Sequence, residues 1–401
     1  MIYADNAATT KLSERAKNAM DEVLRNGWGN PSALYSEGRK AREKLEQARA
    51  DIAAIIGAEP EEIYFTSGGT EADNQVIQTG WRRREKFQRA DAFYVSSIEH
   101  HAVLNPVKKY SGSEFLEGSV WKMGVGENGI IKVSKFENTI LKFDFQVALV
   151  SVMYANNEIG TIQPIRKIGE ICRRSGVPFH TDAVQAVGHI PINVKDDNID
   201  FLSASAHKFH GPKGAGFLFA DRRNELYSFI RGGGQERGKR AGTENVAGAV
   251  GMAEALKESV ENMEQNTRHL LAMRKILTDG LREIPHAALN GDEENRLPGN
   301  VNFCFEGVPG EALVLMLDRA GICASSGSAC TTGTLEPSHV LKAIGRDDDT
   351  ANSALRLTIG EDITKDEAET IVKEVKKAVS TLRETSPEWH YMETGRKPHK
   401  I

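Results

Sequence analysis

The sequence predicts an α/β fold: a large domain on a mostly parallel sheet, followed by a smaller α+β domain. Three observations carry this. Short β-rich runs alternate with helical stretches through the first two thirds of the chain, the pattern of a sheet covered by helices. Those runs are almost continuously apolar, as in strands buried on both faces. A chain of 401 residues is also too long for one ordinary hydrophobic core, so at least two domains are expected.

The strands are read, in order, at Ile63-Tyr64-Phe65-Thr66, Ala92 to Ser96, Val147 to Val152, Val177 to His180 and Phe201 to Ala204. Helix-like segments such as Glu71 to Arg84 and Pro164 to Ser175 lie between them. One long helical stretch from about Val246 to Ile284 reads as the bridge between domains. Beyond it, Val301 to Phe305, a helix near Glu311 to Ala320, Ala354 to Ile359 and a helix near Lys365 to Arg383 form the α+β part. The expected division is a large domain over residues 15–262, with residues 1–14 and 263–401 making the small one. The polar tail from Pro387 to Ile401 reads as loosely held.

Composition narrows the function. Apolar residues at 40% and charged residues at 27% are ordinary for a soluble globular protein. A net charge of -5 gives no basic face for nucleic acid. No apolar run is long enough to span a membrane. The opening Met1-Ile2-Tyr3-Ala4-Asp5 shows no basic region leading into an apolar core, so a cytoplasmic location is expected. The four cysteines, Cys172, Cys304, Cys323 and Cys330, form no CxxC pair and no secreted-type framework.

In open α/β sheets, ligands sit outside the carboxyl ends of the strands. Five such ends carry notable polar groups. Ser67-Gly68-Gly69-Thr70-Glu71 opens a helix with glycines and suits a phosphate, with Thr70 adding a hydroxyl. By itself the turn also reads as a plain helix start. Glu99-His100-His101 offers a ring that can stack and titrate. A metal reading of the paired histidines has no companion carboxylate spacing behind it. Asn156-Asn157-Glu158-Ile159-Gly160 is a weak signal alone, since Asn-rich turns are common. Asp182, in His180-Thr181-Asp182-Ala183-Val184-Gln185, is a carboxylate among apolar neighbours. Finally, Ser205-Ala206-His207-Lys208 ends a strand ahead of a glycine-rich turn. A lone lysine there would be surface charge. A phosphate turn, an acid and a lysine in this order instead match the needs of pyridoxal 5'-phosphate (PLP): an amine for the Schiff base and an acid to keep the ring nitrogen protonated.

With these motifs in place, the chain resembles the cysteine desulfurases of the NifS/IscS type, in the PLP-dependent class V aminotransferase family. The likeness runs from Tyr3-Ala4-Asp5-Asn6-Ala7-Ala8-Thr9-Thr10 to Leu355-Arg356-Leu357-Thr358, through Arg240-Ala241-Gly242-Thr243-Glu244-Asn245 and Ser326-Gly327-Ser328-Ala329-Cys330. The resemblance implies a PLP-transferase, aspartate-aminotransferase-like fold. It implies Lys208 as the cofactor lysine, Asp182 on the ring nitrogen, and His100 stacked on the ring and assisting proton movement. Gln185 and Asn157 would face the phenolic side, and Gly69, Thr70, Ser205 and His207 the phosphate. Thr243 would complete the phosphate site of a neighbouring subunit, which implies a homodimer. Arg356, aided by Asn30 and Asn157, would hold the substrate carboxylate. Cys330 would be the catalytic thiol, taking sulfur from L-cysteine as a persulfide and leaving alanine. The acceptor would be an iron–sulfur scaffold or another sulfur-carrying protein, and no structural metal is implied.

The loop around Cys330 is small and polar, which suits a moving thiol better than a buried one. Three alternatives stand beside this reading: a selenocysteine lyase or other PLP-dependent C–S lyase, a non-catalytic assembly protein that kept the fold, and, third, a metal site built from His100, His101, His207 and His210. The chain departs from the family at Tyr35, where a histidine is frequent, and in its Asp347-Asp348-Asp349 stretch, read as a solvated loop.

Overall fold

The computed structural model describes residues 1–87, 92–111, 120–143, 147–326, 336–387 and 389–390. The chain opens with β1 (Ile2–Tyr3), then α1 (Glu14–Asn26) and α2 (Ser36–Ile56). The α/β part follows as β2 (Ile63–Thr66), α3 (Gly69–Phe87), β3 (Ala92–Ser96), α4 (His101–Ser111), β4 (Val120–Met123) and α5 (Val133–Phe143). It continues with β5 (Val147–Ser151), α6 (Ile165–Ser175), β6 (Phe179–Asp182), β7 (Phe201–Ser205) and β8 (Gly216–Ala220).

These strands make one seven-stranded sheet in the order β2-β8-β7-β6-β5-β3-β4. β8 runs antiparallel to both neighbours, while the other pairs are parallel. Six strands therefore point the same way, and their carboxyl ends share one edge of the sheet. Every residue of β3, β5, β6, β7 and β8 is buried, as the largely apolar runs of β3, β5 and β7 foretold. Phe93, Phe179, Phe201, Phe217 and Phe219 are fully buried in it, each contributing about 1.5–3 kcal/mol by leaving water. α6 covers one face with Ile165, Ile168, Ile171 and Cys172, the three-and-four spacing of a helix stripe, and ends at Gly176 with φ 66°.

The long helical stretch is two helices, α7 (Val246–Glu261) and α8 (Met263–Arg282). They part at Asn262, which caps the end of the first and the start of the second. The remaining elements are β9 (Ala287–Leu289), β10 (Asn300–Phe305), α9 (Gly310–Arg319), β11 (Ile322–Cys323), β12 (Ser325–Ser326), α10 (His339–Ala343), α11 (Asp348–Asn352), β13 (Ala354–Thr358) and α12 (Lys365–Glu384). A four-stranded antiparallel sheet, β12-β13-β10-β9, packs with α8, α9 and α12 around Leu277, Phe303, Phe305, Leu317, Leu357 and Val375. The N-terminus joins this second core: β1 pairs with β11, Asp5 bridges to Thr358, and Ala4 is buried there. The acidic stretch read as a solvated loop is a helix start, with Asp347 accepting from Thr350 N at 2.8 Å. The tail from 391 onward lies outside the described residues. Among the described residues no helix is long and apolar enough to cross a membrane.

Candidate active site

The shared strand edge opens into a cleft of about 840 Å³. Its floor and walls come from the strand ends in turn. After β2 the chain turns at Gly68, with φ 151°, into the first turn of α3. A Cβ at Gly69 would strike the side chain of Val184, so only glycine lets the helix N-terminus approach the strand end after β6. Thr70 sits beside it, exposed toward the cleft. Glu71 accepts from Ser67 N at 2.8 Å and from Arg240 Nε at 2.9 Å. Burial works against its charge, yet these partners hold it below the usual carboxylate range.

After β3, His100 Nδ1 accepts from Ala102 N at 3.1 Å. That bond leaves Nε2 to carry the proton of the neutral ring, and burial, with Lys208 nearby, lowers its basicity. His101 does not line the cleft; its ring packs edge-on to His339 at 4.9 Å. After β5, Asn156 builds the turn by accepting from Glu158 N and Ile159 N at 2.9 Å, while Asn157 faces the cleft. Asp182, the last residue of β6, accepts from Val184 N at 3.0 Å. Burial, reinforced by Asp73, pushes it up to about 7. Gln185 donates to Ala7 O at 3.0 Å.

The short turn after β7 carries Lys208, whose Nζ donates to Ala7 O at 2.6 Å and Ala8 O at 2.9 Å. Ser205 lies on the wall facing Gly68. His207 is pushed down to about 4 by burial and then by Lys208 and Lys213, and its Nδ1 lies 3.1 Å from Thr9 Oγ1. Arg356 enters from β13 of the small sheet. It donates to Asp5 Oδ1 at 2.8 Å and to Asn157 O at 3.2 Å, while its buried Nε has no partner.

The cleft thus brings together Gly69, Thr70, His100, Asn157, Asp182, Gln185, Ser205, His207, Lys208 and Arg356 from distant parts of the sequence. Asn30 and Thr243 are exposed and do not line it. Asn30 spends its side-chain oxygen on Ser32 N at 2.9 Å, so within one chain it does not aid Arg356. Cys330 lies outside the described residues, and with it any Cys323–Cys330 pairing. Among the described residues Cys172, Cys304 and Cys323 form no disulfide. Among the described residues no three His, Cys, Asp or Glu side chains are grouped to hold a metal ion. Three groups escaped the sequence reading: Asp5 on Arg356, and the buried acids Asp73 and Glu99. An acid just before a histidine, or inside a polar-looking helix, carries no local mark of burial.

The class-V aminotransferase family profile matches residues 2–371, which spans the cleft and both sheets. The chain belongs to the class-V aminotransferase family. Among its relatives is the cysteine desulfurase IscS of Clostridium botulinum, 43% identical over 97% of this chain and 96% of the relative. The cysteine desulfurase IscS of Methanosarcina thermophila is 43% identical over 96% of this chain and 94% of its own length. Among solved structures, a NifS-like protein superposes with a TM-score of 0.85 at 33% identity, covering 95% of this chain and 99% of that one. A further solved structure, SspA in complex with cysteine, has a TM-score of 0.77 at 32% identity over 90% of this chain and 99% of its own.

Proposed function

We propose that this chain is a PLP-dependent cysteine desulfurase that moves sulfur from L-cysteine to Cys330 and on to an acceptor protein. The observation that carries the reading is that Lys208, Asp182 and Arg356 open on one cleft. The residues fit the cofactor. The glycine turn and helix N-terminus leave room for a phosphate, Asp182 presents a buried acid, and Lys208 supplies an amine between them. When bound, PLP supplies a cationic ring that draws electrons from the Cα of a bound amino acid.

The protein's own groups do the rest. Arg356 lines the cleft with a guanidinium, whose fork suits a carboxylate, and orients the amino acid over the site. Lys208 takes the Cα proton, held at the ready by the carbonyls of Ala7 and Ala8. His100 offers a face for stacking and an Nε2 proton. The Cys330 thiolate attacks the substrate sulfur. The C–S bond breaks toward carbon, which takes a proton and leaves as alanine, and the sulfur stays on Cys330 as a persulfide.

Both flanks of the Cys330 segment are anchored at the cleft. Ser325 of β12 lies directly opposite Arg356 of β13. On the other side, Ser338 donates to Glu158, the neighbour of Asn157, at 2.5 Å. Cys330 is five positions beyond Ser325, a reach of up to about 17 Å, enough to bring the thiol over the substrate. The same reading makes the enzyme a cytoplasmic homodimer in which Thr243 serves the partner's phosphate site. It divides the chain at residues 15–262 against 1–14 with 263–401, and passes sulfur to an iron–sulfur scaffold. A Cys330→Ala variant is expected to bind PLP and stay yellow while releasing no alanine from L-cysteine. Undiminished alanine release by that variant would favour a lyase.

A further inference from the structure

Behind Asp182, on the side away from the cleft mouth, lies a chain of buried polar groups. Alternation along β6 puts His180 on the same face as Asp182. The His180 ring is fully buried. Its Nδ1 lies 2.9 Å from Ser151 Oγ, and its Nε2 lies 3.0 Å from Ser203 Oγ and 3.5 Å from Asp73 Oδ1. Ser203 is the direct cross-strand neighbour of Asp182. Its hydroxyl also bonds the Asp73 carboxyl, which drops from the second turn of α3 onto this layer and reaches the wall of the cleft.

Asp73 is 1% exposed, and its Oδ1 has no hydrogen-bond partner. No cation compensates it from behind: burial pushes His180 down to about 4, so the ring is neutral. Burial likewise pushes Asp73 up to about 7. Glu99, also fully buried and facing Asp182, gives one oxygen to Met153 N at 2.7 Å and leaves the other unpartnered. An unpaired buried acid is costly, and one set beside another acid more so. The arrangement makes chemical sense when a positive group enters the cleft next to Asp182.

We propose that Asp73 is a positioning residue for the cofactor's ring nitrogen, holding Asp182 in place through Ser203 and adding the negative potential that keeps that nitrogen protonated. The inference rests on the PLP reading above. It predicts a specific defect. Removing the Asp73 charge weakens only the part of binding that passes through the ring nitrogen; phosphate contacts and the Lys208 linkage stay as they are.

The test is equilibrium binding of two ligands to the apo-protein: PLP, and its carbocyclic analogue with C–H in place of the ring nitrogen. In Asp73→Asn, affinity for PLP is expected to fall about tenfold, one pK unit of lost proton affinity, while affinity for the analogue changes less than about twofold. Ser203→Ala, a smaller change outside the cleft, is expected to shift the same ratio in the same direction, and it decides the matter if the Asp73 variant does not fold. Equal losses for both ligands, or an unchanged ratio, would overturn the inference while leaving the cofactor reading intact. A wild-type protein that binds neither ligand would overturn the cofactor reading and the inference with it.

Discussion

Arg356 commits two of its three nitrogens to the protein, one to the Asp5 carboxylate and one to the Asn157 carbonyl. Both partners fix the plane of the guanidinium, and with it the directions of the three N–H groups that remain. A lysine at this position keeps the charge but loses the planar fork. In Arg356→Lys the KM for L-cysteine is expected to rise about tenfold or more, the loss of one charge-assisted contact of about 1.5 kcal/mol, with a smaller change in kcat. Steady-state kinetics check it; an unchanged KM would remove Arg356 from carboxylate binding. The residues read from sequence as chemical were those whose polarity clashed with an apolar setting. Asp182 stands out as a carboxylate followed by apolar residues at the end of a strand, and Lys208 as a lysine between a largely apolar strand and a glycine-rich turn. Asp73 does not stand out, because Glu71, Asp73 and Asn74 together look like the wet face of α3. Only the packing of the helix buries Glu71 and Asp73 and leaves Asn74 at the margin.

At the scale of elements, the buried strands of the large sheet were legible because an α/β sheet leaves no polar face to blur them. β8 was not, although Gly216 to Ala220 is as apolar as the rest. It returns antiparallel directly after the Lys208 turn, outside the strand–helix rhythm that guided the reading. The helix break at Asn262 was likewise hidden, since an asparagine in a helical pattern reads as a tolerated exception. α12 shows its start openly: Thr364 accepts from Glu367 N at 3.2 Å while Glu367 accepts from Thr364 N at 2.8 Å, a reciprocal capping box. Thr364→Ala is expected to cost about 1 kcal/mol of stability, seen as a lower denaturation midpoint with an unchanged denaturant slope. A change in the slope instead would mean that α12 contributes to compactness beyond its cap.

For the whole molecule, the contact between the two sheets' territories includes one strongly perturbed ion pair. His210, just past the Lys208 turn, places Nε2 3.1 Å from Glu361 Oε2, just past β13. Burial opposes both charges, yet the His210 hydrogen bond holds Glu361 down to about 2, from an ordinary 4.5. The same pairing raises His210 above its ordinary 6.5. A depressed carboxylate contributes stability that is present above 4.5 and lost as pH falls toward 2. A raised histidine contributes stability that is complete below 6.5 and lost as pH climbs through its folded value. The stability gap between wild type and Glu361→Gln should therefore be widest near about pH 5.5 and narrower at about pH 9. Denaturation across that range checks it; a gap that widens with pH would contradict the pairing.

The reach of the Cys330 thiol decides whether the cleft transfers sulfur or merely cleaves it from carbon. The most direct measurement is to add L-cysteine to the PLP-loaded enzyme without an acceptor and weigh the peptide that contains Cys330. One extra sulfur on that peptide, removable by reductant and matched by an equal amount of alanine, is the expected result. Pyruvate, ammonia and free sulfide released with Cys330 left unmodified would contradict it.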